Sequence, residues 1–374
     1  MLRLEGSLTG LAAFSAHEVR VDRTAIRRLL LAWFRKHQRP LPWRGNRDPY
    51  AIWVSEIMLQ QTQVSTVIPY FGRFLRSFPT LADLARATEH EVLRHWEGLG
   101  YYRRARNLHK SARLLVSEHQ GLFPRDPTVL RSLPGFGRYT VGAVLSQAFE
   151  CRLPIVEANS RRVLCRLYGI RGDPRAKEVE QRLWRHAEEL LPTRSVGDFN
   201  QALMELGAVV CTAVLAHCER CPLSAHCAAR RLRLADKIPP RAKAAPVENL
   251  TEVAVVVERG RRVLLARRPD SARWAGLWEF PHGSLLPGES EGDSARRLLA
   301  ELAGICAEPQ RHITTLRHSI MRFRITLVCL EARYQSGRFH SNFYPRACWV
   351  NLGDLQKYPV SAPQRRLVRA LTGA

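Results

Sequence analysis

The chain has 374 residues, with 58 Lys and Arg against 34 Asp and Glu, a formal net charge of +24. That excess points to a polyanionic partner, nucleic acid first and an acidic membrane surface second. A hydrophobic fraction of 45% excludes general disorder, and no apolar run reaches the roughly 18 residues of a transmembrane helix.

The first twenty residues lack a long apolar core, so no secretory signal is expected. The chain is therefore expected in the cytoplasm, at a bacterial-type nucleoid. There its nine cysteines serve as thiols or metal ligands rather than as a disulfide framework.

From Arg23 to about Arg231 the apolar residues recur at helical spacing. AIRRLLLAWFRKH, YAIWVSEIMLQQTQV and PTLADLARATEHEVLRHW each predict a helical stretch. Short Pro- and Gly-bearing loops separate them, so residues 22–232 are expected to form one all-α domain. Residues 233–249 are polar, basic and Pro-containing and read as a linker. Residues 250–374 are expected to form a smaller α+β domain. TEVAVVVER, RRVLLARR, RFRITLVCLEARY and ACWVNL predict strands, and GDSARRLLAELAG and PQRRLVRALTG predict helices.

Cys211, Cys218, Cys221 and Cys227 are spaced C-x6-C-x2-C-x5-C. Four thiolates in one compact loop suit a cubane iron–sulfur cluster. A four-cysteine zinc site is the rival, although such sites usually pair two short knuckles and only the middle pair here has that spacing. Upstream, Leu133-Pro134-Gly135-Phe136-Gly137-Arg138-Tyr139-Thr140 separates two helical stretches. Its glycines let backbone N–H groups approach an anion at the start of the next helix. A helix-hairpin-helix of this kind holds a DNA backbone through Gly135, Gly137 and Arg138 without reading sequence; a plain Gly-rich turn is the alternative.

The hairpin, a following acidic residue and the four-cysteine loop occur in an order that resembles the endonuclease III superfamily of DNA glycosylases. Within it, the chain resembles the adenine DNA glycosylase (MutY) family. The carrying segments are LPWRGNRDPYAIWVSEIMLQQTQVSTVIPYF, GLGYYRRARNLHKSA, LPGFGRYTVGA and FNQALMELGAVVC, spanning about Leu41 to Cys227. The resemblance implies a base-excision-repair enzyme that hydrolyses the N-glycosidic bond of adenine mispaired with 8-oxoguanine or guanine. It implies a 4Fe–4S cluster on the four cysteines, duplex DNA as partner and a monomer. Bifunctional relatives carry a lysine nucleophile where this chain has Tyr139, so a monofunctional glycosylase is expected.

Removing adenine calls for an acid to protonate the base and a carboxylate to stabilise the cationic sugar. Glu56 is the single acid in the largely apolar Trp53–Leu59, where burial would keep it protonated; a surface glutamate on an amphipathic helix is the alternative. By resemblance it protonates adenine N7. The family places Asp-Gly-Asn where this chain has Glu157-Ala158-Asn159, which makes Glu157 the stabiliser and nucleophile and Asn159 its orienting residue, with Tyr139 near the sugar. Trp43, Arg44 and Glu205 correspond to the adenine pocket. Gln61, Thr62 and Tyr101 correspond to residues that wedge into the duplex.

Gly283 to Ile305 echoes a Nudix box. Gly283, Glu289, Arg297, Glu301 and Gly304 match, while Leu298 and Leu302 stand where catalytic glutamates belong, so the box is read as scaffold. The family's lesion-reading Phe-Ser-His aligns with Ile320-Met321-Arg322, and His318 is retained as a substrate contact. Two other readings stay open: a catalytically weakened mismatch-binding protein, and a glycosylase of other base specificity.

Overall fold

The structure is a computed structural model that describes residues 21–240 and 246–373. The first twenty residues, on which the expectation of no secretory signal rests, lie outside the described residues, as do 241–245 of the expected linker.

The helices in chain order are α1 (Arg23–His37), α2 (Pro49–Leu59), α3 (Val64–Ser77), α4 (Leu81–Arg86), α5 (Glu89–Trp96) and α6 (Arg103–His119). They continue with α7 (Pro127–Ser132), α8 (Arg138–Phe149), α9 (Ala158–Tyr168), α10 (Lys177–Leu190), α11 (Val196–Val209) and α12 (Ala228–Arg231). Two expected stretches are broken. Thr88 caps α5 in a reciprocal box with Glu91, as Thr80 caps α4 with Asp83, so 79–96 holds two short helices rather than one. The stretch 50–64 stops at Leu59, because Gln61 takes a left-handed backbone (φ 55°) that no helix continues through.

Compactness divides the chain differently from its sequence order. One unit holds residues up to Arg39 together with Arg152–Arg241; the other holds Pro40–Cys151 and Ala242–Ala374. The helical stretch read as one domain is thus shared between both.

In the first unit, α1, α9, α10 and α11 bury Ile26, Leu30, Leu164, Leu183, Phe199 and Leu203 in one apolar core, with the cysteine loop packed at its side.

In the second unit, a mixed sheet follows the α2–α8 helices. Its strands are β1 (Glu248–Arg259), β2 (Arg262–Arg267), β3 (Trp278–Glu279), β4 (His282–Ser284), β5 (Ile305–Ile320), β6 (Phe323–Gly337) and β7 (Arg346–Asn351). The order is β3-β2-β1-β6-β5, with β4 on β1 and β7 on β2. β1 and β6 run parallel and the remaining pairs antiparallel. Alternation along β1 sends Val253, Val255 and Val257 to one face, under α13 (Glu291–Ala303). It sends Ala254 and Val256 to the other, with α14 (Ala362–Thr372).

β5 was not expected from the sequence. It lies at the sheet edge, and three register shifts along its pairing with β6 break the period-two pattern that marks a strand.

Charged side chains join α2–α8 to this sheet. Arg365 forks onto Glu97 (2.6 and 2.8 Å), and Glu89 receives both Arg106 and Arg267. Fork geometry of this kind fixes orientation as well as distance.

Candidate active site and cysteine loop

α2 is apolar on all sides, and every residue from Tyr50 to Met58 is buried. Asp48 caps its first turn and Pro49 starts it. Trp53 stacks on Phe136 of the glycine hairpin at 5.0 Å. Glu56 is carried into this interior, 5% exposed, so the surface alternative does not hold. Its two oxygens meet different donors: the Tyr139 hydroxyl donates to Oε2 at 2.5 Å, and the Gln147 amide donates to Oε1 at 3.0 Å. The Tyr139 hydroxyl, expected near the sugar, is therefore on the acid itself. Gln147 was not foreseen; it directly follows the buried run Thr140–Ser146 of α8. A hydroxyl donates to a carboxylate and accepts from a carboxylic acid, so this contact survives either protonation state.

Gly135 (φ 83°) turns the hairpin so closely over α6 that a Cβ there would stand 3.1 Å from Asn107 Cβ. Gly137 caps α8 with no side chain over it, and the space where its Cβ would stand is open. Gly135, Gly137 and Arg138 are exposed. Exposed backbone at a helix N-terminus suits a phosphate.

Gln61 and Tyr101 share an unusual backbone. Both are non-glycine residues with positive φ, 55° and 46°, a conformation costing on the order of 1–3 kcal/mol each and kept only where surroundings impose it. Both are exposed. Between their turns lies Arg104 of α6. Its Nη1 donates to the carbonyls of Ile57, Met58 and Gln60, and its Nη2 to Thr62 Oγ1 and the carbonyls of Leu99 and Gly100. Burial pushes this guanidinium down to about 10, so it stays a cation at neutral pH. Thr62, expected as a wedge residue, spends its hydroxyl on Arg104 and the Gln60 carbonyl.

In the first unit, Glu157 caps its own helix. Oε1 accepts from Ser160 N at 2.7 Å, and Oε2 accepts from Asn159 N at 2.8 Å and Asn159 Nδ2 at 3.3 Å. Asn159, expected to orient this carboxylate, is itself held by Arg162, whose Nη2 donates to Asn159 Oδ1 at 2.8 Å. Arg162 also reaches the carbonyls of Gly207 and Cys211. Gly207 lets α11 approach: a Cβ there would lie 2.7 Å from Asn159. Glu205, two residues before it and 1% exposed, receives the Arg39 guanidinium on both oxygens (2.8 Å each). That carboxylate holds Arg39 above the ordinary arginine range. Arg39 and Arg162 were not foreseen; a glycine within the apolar run Phe199–Val209 was the available signal for close packing there.

Cys211, Cys218, Cys221 and Cys227 line one pocket with Arg166 and Arg230. Burial pushes the Cys221 thiol up to about 12, and raises Cys218 and Cys227 as well. Arg166 Nη1 donates to Cys211 Sγ at 3.2 Å. Among the described residues, no three His, Cys, Asp or Glu side chains are grouped as a single metal ion needs. Four sulfurs on one zinc would sit about 3.8 Å apart; four sulfurs around a cluster each reach a different iron and stand further off. Four cysteine side chains lining one pocket are a donor set of the kind a cubane cluster takes.

Trp43, expected as a pocket wall, is buried edge-on against Phe71 at 5.5 Å, with Arg44 half-buried beside it. His318 corrects an expectation. Alternation on β5 turns it inward with Leu316, and both its ring nitrogens are buried without a hydrogen-bond partner, so it does not present them as a substrate contact. Met321 and Arg322 form the β5–β6 turn. Met321 is 83% exposed with φ 53°, and Arg322 pairs with Glu248 at 3.0 Å. In the Nudix-like box, Arg297 binds Glu289 and Glu301. Leu298 is buried where Gly283 approaches so closely that a Cβ would meet it at 2.5 Å.

Comparison with known proteins agrees with this architecture. Residues 54–189 match the profile of the HhH-GPD superfamily base excision DNA repair protein, and residues 252–370 match the NUDIX domain. Adenine DNA glycosylase of Rattus norvegicus is 36% identical over 404 residues, covering 93% of this chain and 78% of the relative. Adenine DNA glycosylase of Mycobacterium tuberculosis (strain CDC 1551 / Oshkosh) is 43% identical over 198 residues, covering 52% of this chain and 64% of the relative. A solved thermostable thymine-DNA glycosylase is 29% identical with a TM-score of 0.51, covering 56% of this chain and 97% of that one. At these identities and over these spans, the chain belongs to the adenine DNA glycosylase family of base excision DNA repair enzymes.

Proposed function

We propose that this chain removes adenine mispaired with 8-oxoguanine or guanine from duplex DNA by hydrolysing its N-glycosidic bond. The observation that carries this is Glu56, the buried acid whose oxygens are held by Tyr139 and Gln147. Glu56 gives its proton to N7 of the base. The C1′–N9 bond breaks with its electron pair going to adenine, and the sugar is left as an oxocarbenium ion. Glu157, oriented by the first N–H groups of α9 and by Asn159, supplies the negative charge that stabilises this cation. Water then adds to C1′ and loses its proton to a carboxylate, leaving an abasic site. Tyr139 has no amine with which to form a Schiff base, so the strand is not cut by this route.

Cys211, Cys218, Cys221 and Cys227 would hold a 4Fe–4S cluster, which supplies a structural clamp on the loop. Gly135, Gly137 and Arg138 hold a backbone phosphate, in keeping with the +24 charge.

The test is single-turnover adenine release from an A:8-oxoguanine duplex, with alkali to cut the abasic product. Glu56→Gln keeps the shape but cannot deliver the proton, so it binds the duplex and releases no adenine; near-normal turnover would remove Glu56 from the role. Iron analysis of anaerobically prepared protein tests the cluster, with about four irons per chain expected and stoichiometric zinc as the contrary result. One observation favours a second reading, a weakened mismatch-binding protein: Glu157 is already occupied in capping its own helix. Tight binding without adenine release by the unaltered protein would decide for it.

A further inference from the structure

We propose that Arg104 is the positioning residue of the duplex wedge, one guanidinium that holds Gln61 and Tyr101 in register with each other. This rests on the function proposed above, in which those two side chains enter the duplex as adenine leaves it.

The argument starts from where the donors go. Arg104 Nη1 takes the last carbonyls of α2, and Nη2 takes Thr62 Oγ1 with the carbonyls of Leu99 and Gly100. Helix C-terminal carbonyls are natural partners for a cation. Here the same cation also closes a turn some forty residues away in sequence, between Leu99 and Tyr101. No carboxylate pairs with it among the described residues; carbonyl dipoles and the rings of Trp96 (5.4 Å) and Tyr101 (5.5 Å) surround it instead. Each turn it grips carries one left-handed, exposed, non-glycine residue, Gln61 on one side and Tyr101 on the other. Two strained tips bridged by one planar group are fixed relative to each other, as a wedge must be when it meets stacked bases. Lysine presents its donors from a single point and cannot span both turns at once.

A helix cap alone would affect stability. A positioning role affects base extrusion, and only while the wedge side chains are present. The readout is stopped-flow fluorescence of a duplex carrying 2-aminopurine in place of the target adenine, with the full chain and its cluster, beside thermal unfolding and affinity for undamaged duplex. Arg104→Met is expected to slow extrusion about 10- to 100-fold, the scale of an ångström-sized misplacement, with affinity for undamaged duplex unchanged. Arg104→Lys is expected to fall between the two. In a Gln61→Ala, Tyr101→Ala background, Arg104→Met is expected to slow extrusion no further. Unaltered extrusion in Arg104→Met, or a loss that persists in full in that background, overturns the proposal. If Arg104→Met does not fold, Arg104→Lys carries the same comparison. If Gln61→Ala and Tyr101→Ala together leave extrusion intact, the wedge reading fails and this inference with it, a result distinct from failure of Arg104 alone.

Discussion

Tyr139 sets its hydroxyl 2.5 Å from Oε2 of Glu56, on the opposite oxygen from the Gln147 amide. Tyr139 is thus engaged with the residue that the function proposed above makes the acid. Tyr139→Phe keeps the ring and removes the contact. A hydrogen bond to a charged group contributes about 1.5–3 kcal/mol, so single-turnover adenine release should slow about 10- to 100-fold. Duplex affinity should stay as it was. Unchanged release would mean that the hydroxyl is a bystander.

Glu157 caps α9, and the function proposed above gives it a second, catalytic task that substitutions can separate from the first. Glu157→Ala removes the helix cap and should lower stability by about 1 kcal/mol, read by thermal unfolding. Glu157→Gln keeps an acceptor oxygen, so it should lose less stability. It loses the charge that the proposed mechanism sets against the cationic sugar, so adenine release should slow as much as in Glu157→Ala. Equal unfolding midpoints for the two variants would contradict the capping role; normal release in both would contradict the catalytic one.

Burial holds the His318 imidazole below its ordinary value; Glu252 pulls it back up, and His282 and Arg366 push it further down. The unfolded chain then takes up this proton more readily than the folded one, so stability rises with pH between the lowered folded value and about 6.5. Unfolding midpoints should therefore drop as pH falls from about 7.5 to about 5.5. His318→Leu should flatten that slope and, because both ring nitrogens lack partners, leave stability at neutral pH equal or higher. An unchanged slope would show that His318 is not the group responsible.

On the function proposed above, the β5–β6 turn is where lesion choice would be set. Met321 offers the lesion no hydrogen bond of a serine's strength, and Arg322 offers donors alone while already paired with Glu248 and lying over the Phe323 ring at 5.1 Å. A lost specific contact is worth about 1–3 kcal/mol of discrimination. Adenine release should therefore prefer A:8-oxoguanine over A:G less strongly than in a relative bearing Phe-Ser-His. Met321→Ser with Arg322→His should widen the preference. Strong discrimination by the unaltered protein, abolished in Arg322→Ala, would show that the arginine reads the lesion.

Much of this site is local and was therefore readable. Glu56 stood alone in an apolar run, the cysteines carried their own spacing, and β1 and β6 were written as continuous apolar stretches. What the sequence hid depends on partners far along the chain. Arg104 and Arg162 sit in helices whose charge suggests a solvated face, and only the fold shows which carbonyls they reach. Register shifts between Cys306 and Thr314 hid β5 as a strand, and without the strand the inward turn of His318 could not be read. The break at Thr88 was in fact local: two Thr-x-x-acid boxes stand in PTLADLARATEHEV, and the apolar periodicity running through them masked the stop.

Leu298 limits what single substitutions could make of the Nudix-like box. Its side chain fills the space against Gly283 and sits 4% exposed among Val255, Leu264, Ala295 and Leu299. A glutamate returned to this position would enter a closed apolar cluster, at a cost of several kcal/mol unless a partner arrived with it. The neighbouring acids Glu289 and Glu301 are already bound to Arg297. Building a metal-holding carboxylate cluster here would thus demand several coordinated changes, because the position that would carry the added charge is the one that closes the apolar cluster.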